Sequence, residues 1–310
     1  MIPCPLCGAP QNTGANVDTQ GLIGLWERFG VPVRRLFGTA AIARYTCAAC
    51  GLGFYHPFIP GDGEFYNAVG AWDDYYTHTG KTEFPFVASL ISPGQHVIDV
   101  GSGIGEFSSF MPAGSQYVGV ELSTAAVEKA RSLGRDVRRM NIIDCDDEHA
   151  AAYDVVACFQ VLEHIDNIHE FFPALLRLSK PGGIAAVAVP NNDGFVGTAI
   201  NNMLNLPPHH VLLWNRTSLE YLAGSYGLTI EQYVVEPLQG IHRRWAHTVV
   251  ITRALCRLVN IRYAPVDRTL FTRIIAKFAS KVSLLTTLLV PALVESGHSS
   301  IIILRTPQGV

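Results

Sequence analysis

With 310 residues, 48% of them apolar, the chain can bury a core, so disorder is excluded and one large domain or two smaller ones are expected. Only 16% of residues are charged, well below the roughly 25% of average soluble proteins, so the chain buries much of itself or meets something apolar. A formal net charge of −3 argues against a nucleic-acid footprint over the whole protein.

The start, Met1-Ile2-Pro3-Cys4, lacks a signal peptide's basic and apolar regions, and no stretch reaches the roughly 18 uninterrupted apolar residues of a membrane span. An intracellular, cytoplasmic setting is therefore expected, and there the seven cysteines point to metal rather than to disulfides. Four of them form two matching units, Cys4-Pro5-Leu6-Cys7-Gly8 and Cys47-Ala48-Ala49-Cys50-Gly51. A two-residue spacer brings two thiolates to one ion, and the glycine after each pair allows the left-handed backbone that turns amides toward sulfur. Cys4, Cys7, Cys47 and Cys50 are thus expected to hold a structural zinc ion in a zinc-ribbon-like module over residues 1–60. The 39 residues between Cys7 and Cys47 exceed the common ribbon separation and are expected to carry a small insertion around Leu22 to Phe37. A redox pair would need a βαβ context that this segment lacks. Cys145, Cys158 and Cys256 read as buried small hydrophobes.

An aromatic stretch follows, ending in Trp72-Asp73-Asp74-Tyr75-Tyr76, whose tyrosines either close over a substrate or simply pack. Beyond it strand-like runs alternate with helical patterns, the signature of a parallel sheet covered on both faces. Strands are predicted at Val97–Val100, Tyr117–Val120, near Val137–Ile143, Asp154–Phe159, Ile184–Val189, Thr229–Val235 and Ser300–Leu304. Helices are predicted from Ser123 to near Gly134, from about Ile168 to Leu178, and from about Ser218 to Tyr226. Residues 61–310 are therefore expected to be one doubly wound α/β domain of seven strands, with a helical insertion over 241–297 before the last strand.

The first strand runs into Asp99-Val100-Gly101-Ser102-Gly103-Ile104-Gly105, where glycines let the backbone approach a ligand at the carboxyl edge of the sheet. The spacing departs from the Gly-x-Gly-x-x-Gly that cradles a pyrophosphate, and Asp99 at the strand end suits a cationic ligand better than a phosphate. Glu121, ending the next strand, is placed for two ribose hydroxyls, and Asp144, near the end of the third, for an adenine amine. Ribose, adenine and positive charge without phosphate describe S-adenosylmethionine.

On these residues, with Val161-Leu162-Glu163-His164-Ile165 after the fourth strand and Lys180-Pro181-Gly182-Gly183 before the fifth, residues 85–240 resemble a class I S-adenosylmethionine-dependent methyltransferase, Rossmann-like in fold, of the group that includes ubiquinone-type and sugar methyltransferases. The resemblance implies cofactor binding by Asp99, Gly101, Ser102, Gly103, Gly105, Glu121, Leu122, Asp144, Phe159 and Gln160. Glu-x-x-Glu-His in ubiquinone O-methyltransferases is associated with a divalent metal, and Gln160 in place of the first glutamate puts that metal in doubt here. The competing reading is that Glu163 and His164 start the helix beneath the site.

If the acceptor is a hydroxyl, a base is needed, and His209 or His210 in Leu206-Pro207-Pro208-His209-His210-Val211, or else His164, supplies an imidazole titrating in the useful range. The Pro-Pro-His-His element also resembles sugar-modifying members of the group. From Ile241 to Lys281 the chain carries nine basic residues against the single acid Asp267, a charge of +8 that leaves −11 elsewhere. Arg273, Lys277 and Lys281 line one helical face, and an apolar helix is expected from Leu284 to Leu293. This surface suits anionic lipid or a phosphate-bearing acceptor, or is a solvated lid. The favoured acceptor is a hydroxyl of a sugar or glycan precursor, lipid- or nucleotide-linked; O-methylation of a quinone or isoprenoid is the alternative. A nucleic-acid module or RNA methyltransferase acting through the zinc knuckles is the reading from another class, and the acidic remainder argues against it.

Overall fold

The computed structural model describes residues 1–72, 82–145, 149–262 and 264–308. Tyr75 and Tyr76 lie outside the described residues. Seven strands build the main sheet: β1 (His96–Val100), β2 (Gln116–Glu121), β3 (Val137–Arg139), β4 (Tyr153–Phe159), β5 (Ser179–Pro190), β6 (Thr229–Pro237) and β7 (Ser296–Arg305). Their spatial order is β6-β7-β5-β4-β1-β2-β3. β1 pairs in parallel with both β2 and β4, as do β2 with β3 and β4 with β5. Inner strands of such a sheet have no solvent side, and β4 is accordingly buried at every position but Asp154. The ring of Phe159 lies edge-on to Phe84 and Phe107, with centroids 5.0 and 4.9 Å away, in a core completed by Val97, Val155, Ile301 and Ile303.

The helices follow the sequence closely. α1 (Thr124–Ser132) starts on Ser123, whose hydroxyl accepts from the Ala126 N–H at 3.3 Å. α2 spans Ile168–Arg177 and α3 Arg216–Ser225. Between β6 and β7 come α4 (Gly240–Leu258) and α5 (Leu270–Leu289), which pack on each other where the insertion was expected. No helix among the described residues is long and apolar enough to cross a membrane.

Four local expectations change. The third strand stops at Arg139, because the Asn141 side chain accepts from Ile143 N–H and turns the chain into a short 3-10 segment at Ile142–Asp144. Lys180–Gly183 does not precede the fifth strand but lies within it, at a break in register between Ser179 and Ile184. Glu163 and His164 do not start a helix: Leu162–His164 is a separate 3-10 turn, and α2 begins only after Asn167. The basic and apolar helices expected between 270 and 293 are one helix, α5, since no glycine or proline interrupts 270–289.

The described chain divides into two compact units. One comprises Met1–Gly61, Pro190–Arg216 and Val235–Ser299, and the other Asp62–Val189, Thr217–Val234 and Ser300–Val310. In the first, Ala15–Asn16, Ala43–Thr46, Gly53–His56 and Leu212–Leu213 form a four-stranded antiparallel sheet. The stretch between the cysteine pairs holds a helix, Thr19–Arg28, capped by Asp18, which accepts from Gly21 N–H at 2.8 Å. Its buried Leu22, Ile23 and Trp26 share one face, and the Trp26 indole N–H donates to Pro207 O at 2.9 Å.

Candidate functional site

The sheet order reverses between β1 and β4, since the chain leaves β1 toward β2 and β3 but reaches β5 on the far side of β4. In open sheets of this kind, ligands bind outside the carboxyl ends of the strands at that point. Val100 of β1 lies opposite Cys158 of β4, so Gly101–Gly105 and Gln160–His164 leave the sheet side by side. Gly101 has φ +73°, and a Cβ there would stand 2.4 Å from Val161 Cγ2. Conformation and space both require glycine.

Three backbone donors fix Glu121 at the end of β2: Gly103 N–H to Oε2 at 3.0 Å, and Leu122 and Ser123 N–H to Oε1 at 2.8 Å each. Asp99 is buried at 3% exposure and accepts from the Tyr117 hydroxyl at 3.0 Å. Burial and the neighbouring Asp99 charge push the Tyr117 phenol well up, so it stays a neutral donor to that carboxylate. Ser102 lies against Gly119 of β2. Leu122 leaves its side chain 63% exposed beside Glu121, and Asp144 is exposed in its turn, steadied by Asn141 Nδ2 at 2.9 Å. Phe159 turns its ring into the core rather than toward the loop ends.

Gln160 adopts φ +57°, a left-handed conformation that costs a non-glycine residue about 1–2 kcal/mol. Its N–H donates to Ala188 O at 2.8 Å and its Nε2 to the buried Glu83 Oε1 at 3.3 Å. His164 Nδ1 lies 3.1 Å from the Tyr66 hydroxyl. Sequence reasoning passed over Glu83 and Tyr66, because their partners are 77 and 98 residues away and neither sits in a motif. Both belong to the aromatic, acidic stretch that precedes β1, which is the signal that marks them.

His209 and His210 belong to the first unit, where both are 6% exposed. His209 Nδ1 is 2.8 Å from Leu204 O and His210 Nδ1 is 3.0 Å from Asn205 Oδ1, with the rings stacked 4.5 Å apart. Asn205 donates its amide to Asn192 Oδ1, so its oxygen is the acceptor, and each imidazole donates from Nδ1.

The four N-terminal cysteines converge, all four sulfurs lying within 4.8 Å of one another. Cys4 Sγ is 3.6 Å from Cys50 Sγ, and Cys7 Sγ 3.4 Å from Cys47 Sγ, close to the edge of a tetrahedron with metal–sulfur bonds of about 2.3 Å. Each pair closes a turn, Gly8 N–H to Cys4 O and Gly51 N–H to Cys47 O, at φ +72° and +77°. The contact with Cys50 pulls the Cys4 thiol down to about 5, while the same contact and burial push Cys50 up.

A family profile described as a methyltransferase domain matches residues 78–233, half of the chain. The chain belongs to the methyltransferase domain family. This methyltransferase is 35% identical over 97 residues to the ubiquinone biosynthesis O-methyltransferase of Hahella chejuensis, which covers 29% of this chain and 41% of that one. The Marinobacter nauticus protein of the same description is 30% identical over 136 residues, covering 40% and 57%. The match thus spans well under two thirds of these relatives' length. Among solved structures, the phosphoethanolamine N-methyltransferase 2 of Haemonchus contortus is similar with TM-score 0.49 and 16% identity, over 78% of this chain and 57% of that one.

Residues 78–233 are thus a methyltransferase domain of the class I, S-adenosylmethionine-dependent type. The donor chemistry at the loop fits that cofactor: carboxylates Asp99 and Glu121 suit a cation bearing hydroxyls, and residues 99–105 contain no basic side chain for a phosphate.

Proposed function

We propose that this methyltransferase O-methylates a small-molecule hydroxyl acceptor of the quinone or isoprenoid class. The observation that carries the reading is the similarity to ubiquinone biosynthesis O-methyltransferases, 35% identical over 97 residues and 30% over 136. The sugar or glycan hydroxyl becomes the second reading, because it leaned on Pro207–His210, whose two imidazoles are buried and held by internal bonds.

S-adenosylmethionine, when bound, supplies an electrophilic methyl on a sulfonium. In this reading Asp99 balances the positive charge from within β1. The Gly101–Gly105 loop with Ser102 holds the methionine part, Glu121 the ribose, and Leu122 and Asp144 the adenine. Three of the roughly four acceptor positions of Glu121 are already used, so a ribose diol shares that carboxylate with the Gly103 amide. Gln160 lines the methyl site, and Phe159 supports it from the core. These residues would hold the acceptor oxygen in line with the donor's methyl, the bound S-adenosylmethionine supplying the electrophile and the leaving group. His164, in the tautomer that donates from Nδ1 to Tyr66, takes the hydroxyl proton on Nε2. His209 and His210 are the alternative bases.

The test offers radiolabelled S-adenosylmethionine with a demethylated ubiquinone-type phenol, or with sugar nucleotides. Label is expected in the phenol; label in the sugar instead overturns the acceptor class. With the phenol, His164→Gln is expected to lower kcat about 10²-fold, with donor affinity nearly unchanged. A full-rate His164→Gln beside a slow His209→Gln or His210→Gln would move the base.

Two further assignments accompany this reading. Cys4, Cys7, Cys47 and Cys50 hold a structural zinc ion, supported by four thiols at tetrahedral spacing. A cytoplasmic chain also touches an anionic membrane surface peripherally, supported by α5, where Ile274, Phe278 and Leu285 are 54%, 57% and 61% exposed beside Arg273, Lys277 and Lys281. Flotation with phosphatidylglycerol vesicles should exceed that with phosphatidylcholine alone and fall in Phe278→Ser; indifference to anionic lipid removes the contact.

A further inference from the structure

Within the first unit, α4, α5 and the segment around Thr198–Asn201 enclose a cavity of about 400 Å³. Four arginines line it: Arg253 and Arg257 from α4, Arg262 from the connection, and Arg273 from the first turn of α5. Among the described residues none of the four has a carboxylate partner or a hydrogen bond. Arg257, Arg262 and Arg273 are exposed and Arg253 is half-buried, so water screens much of their mutual repulsion and leaves them open to an incoming anion.

The one acid in the lining, Asp267, does not neutralise them. Its Oδ1 accepts from Thr269 N–H at 2.8 Å and its Oδ2 from the Thr272 hydroxyl at 2.7 Å, which spends it on the start of α5. Burial opposes its charge, but the Thr272 and Thr269 hydrogen bonds outweigh that and hold the carboxyl below the usual range, so it remains an anion committed to the helix end. Its backbone is fixed as well, with N–H donating to Asn201 Oδ1 at 3.0 Å and C=O accepting from Asn201 Nδ2 at 2.7 Å. Counting Asp267, the lining still carries a net charge of +3.

The rest of the lining is largely apolar, with Trp245, Val249 and Ile261 among it. Arginines at one part of a cavity and hydrocarbon at another suit an amphiphile with an anionic head. Arginine also favours the flat, forked bonding of phosphate oxygens over a simple point charge. Arg273 has a second place in the pattern: it begins the row Arg273, Lys277, Lys281 that borders the exposed apolar stripe of α5, so cavity and stripe meet at one residue.

We propose that this cavity is a binding site for a phosphate group carried on an alkyl or isoprenyl chain, with Arg253, Arg257, Arg262 and Arg273 holding the phosphate and Trp245, Val249 and Ile261 meeting the first part of the chain. The site goes beyond methyl transfer and does not depend on which acceptor is methylated.

Calorimetry on the full chain without methyl donor tests it, using dodecyl phosphate below its micelle concentration, inorganic phosphate and dodecanol. Dodecyl phosphate is expected to bind one per chain, at least about tenfold more tightly than inorganic phosphate or dodecanol. Arg257→Gln with Arg262→Gln is expected to weaken it by about tenfold for each arginine removed, while the exposed Arg28→Gln leaves it unchanged. Melting curves and binding of S-adenosylmethionine report whether the variants fold, and they keep this result separate from the methyl-transfer reading. Absence of dodecyl phosphate binding, or equal binding by the folded double variant, overturns the site. Equal affinity for inorganic and dodecyl phosphate overturns the lipid ligand in favour of a free phosphate.

Discussion

Gly101→Ala is expected to abolish measurable binding of S-adenosylmethionine and to lower the melting temperature. Two separable costs act at this residue. An alanine at φ +73° pays roughly 1–2 kcal/mol for its left-handed backbone. Its Cβ would also lie 2.4 Å from Val161 Cγ2, and relieving such overpacking costs typically about 1–3 kcal/mol. At about 2–4 °C per kcal/mol for a domain of this size, the melting temperature should fall by roughly 5–15 °C. The ligand loss has a further cause. Gly103, two residues on, donates to Glu121, so a shift of the loop disturbs the carboxylate assigned to the ribose. Calorimetry should show Gly101→Ala binding worse than Glu121→Ala, which releases the Gly103 N–H but puts no Cβ into the loop. The double variant Gly101→Ala, Val161→Ala removes the clash but keeps the backbone cost, so it should recover about half of the lost stability. If the double variant is no more stable than Gly101→Ala, packing against Val161 is not the reason for glycine.

The second large effect concerns the thiol cluster. Removing zinc with a strong chelator, or replacing Cys47 with serine, is expected to unfold the N-terminal module, since structural zinc contributes on the order of 10 kcal/mol or more in small sites. The unliganded cluster also competes with protons: Cys4 falls to about 5 but burial and its sulfur partner hold Cys50 upward, so metal must displace protons and its affinity should fall as the pH drops. Trp26 reports the event. Its ring is fully buried and its N–H is bonded to Pro207 O, so loss of the module should shift its emission to the red, and Trp26→Phe should remove most of that shift. One zinc ion per chain is expected by elemental analysis. Native-like emission in metal-free protein, or full zinc content in the Cys47→Ser variant, would dispose of the site.

The sheet was legible in the sequence because its strands are short apolar runs between glycines and because parallel strands buried on both faces leave little else to read. The loop after β1 was legible for the same local reason: Asp99 through Gly105 carry their geometry in seven consecutive residues. What was not legible depended on partners far along the chain. Nothing near Leu212 says that it pairs with Phe54, and nothing near Gln160 says that its amide meets Glu83. Pro207–His210 reads from composition as a loop on the acceptor side, and its bonds to Trp26 and Asn205 were not legible because those partners are set by the fold. The extent of α5 was misjudged because a change in charge after Lys281 resembles a boundary, whereas helices end at breakers and caps.

The first unit is assembled from three stretches of chain, and this fixes an order of events during synthesis. All four clustered cysteines lie within the first 50 residues, so their site is complete as soon as that stretch leaves the ribosome. The strand Gly53–His56 is different, because one edge is covered only when Leu212–Leu213 arrives. At about 5–20 residues per second that wait is roughly 8–30 s, during which an apolar strand stands with open backbone donors and acceptors. A metal ion captured early would hold the nascent hairpin in register through that interval, so zinc supply during translation, more than in the finished protein, should govern how much of the chain reaches its native state.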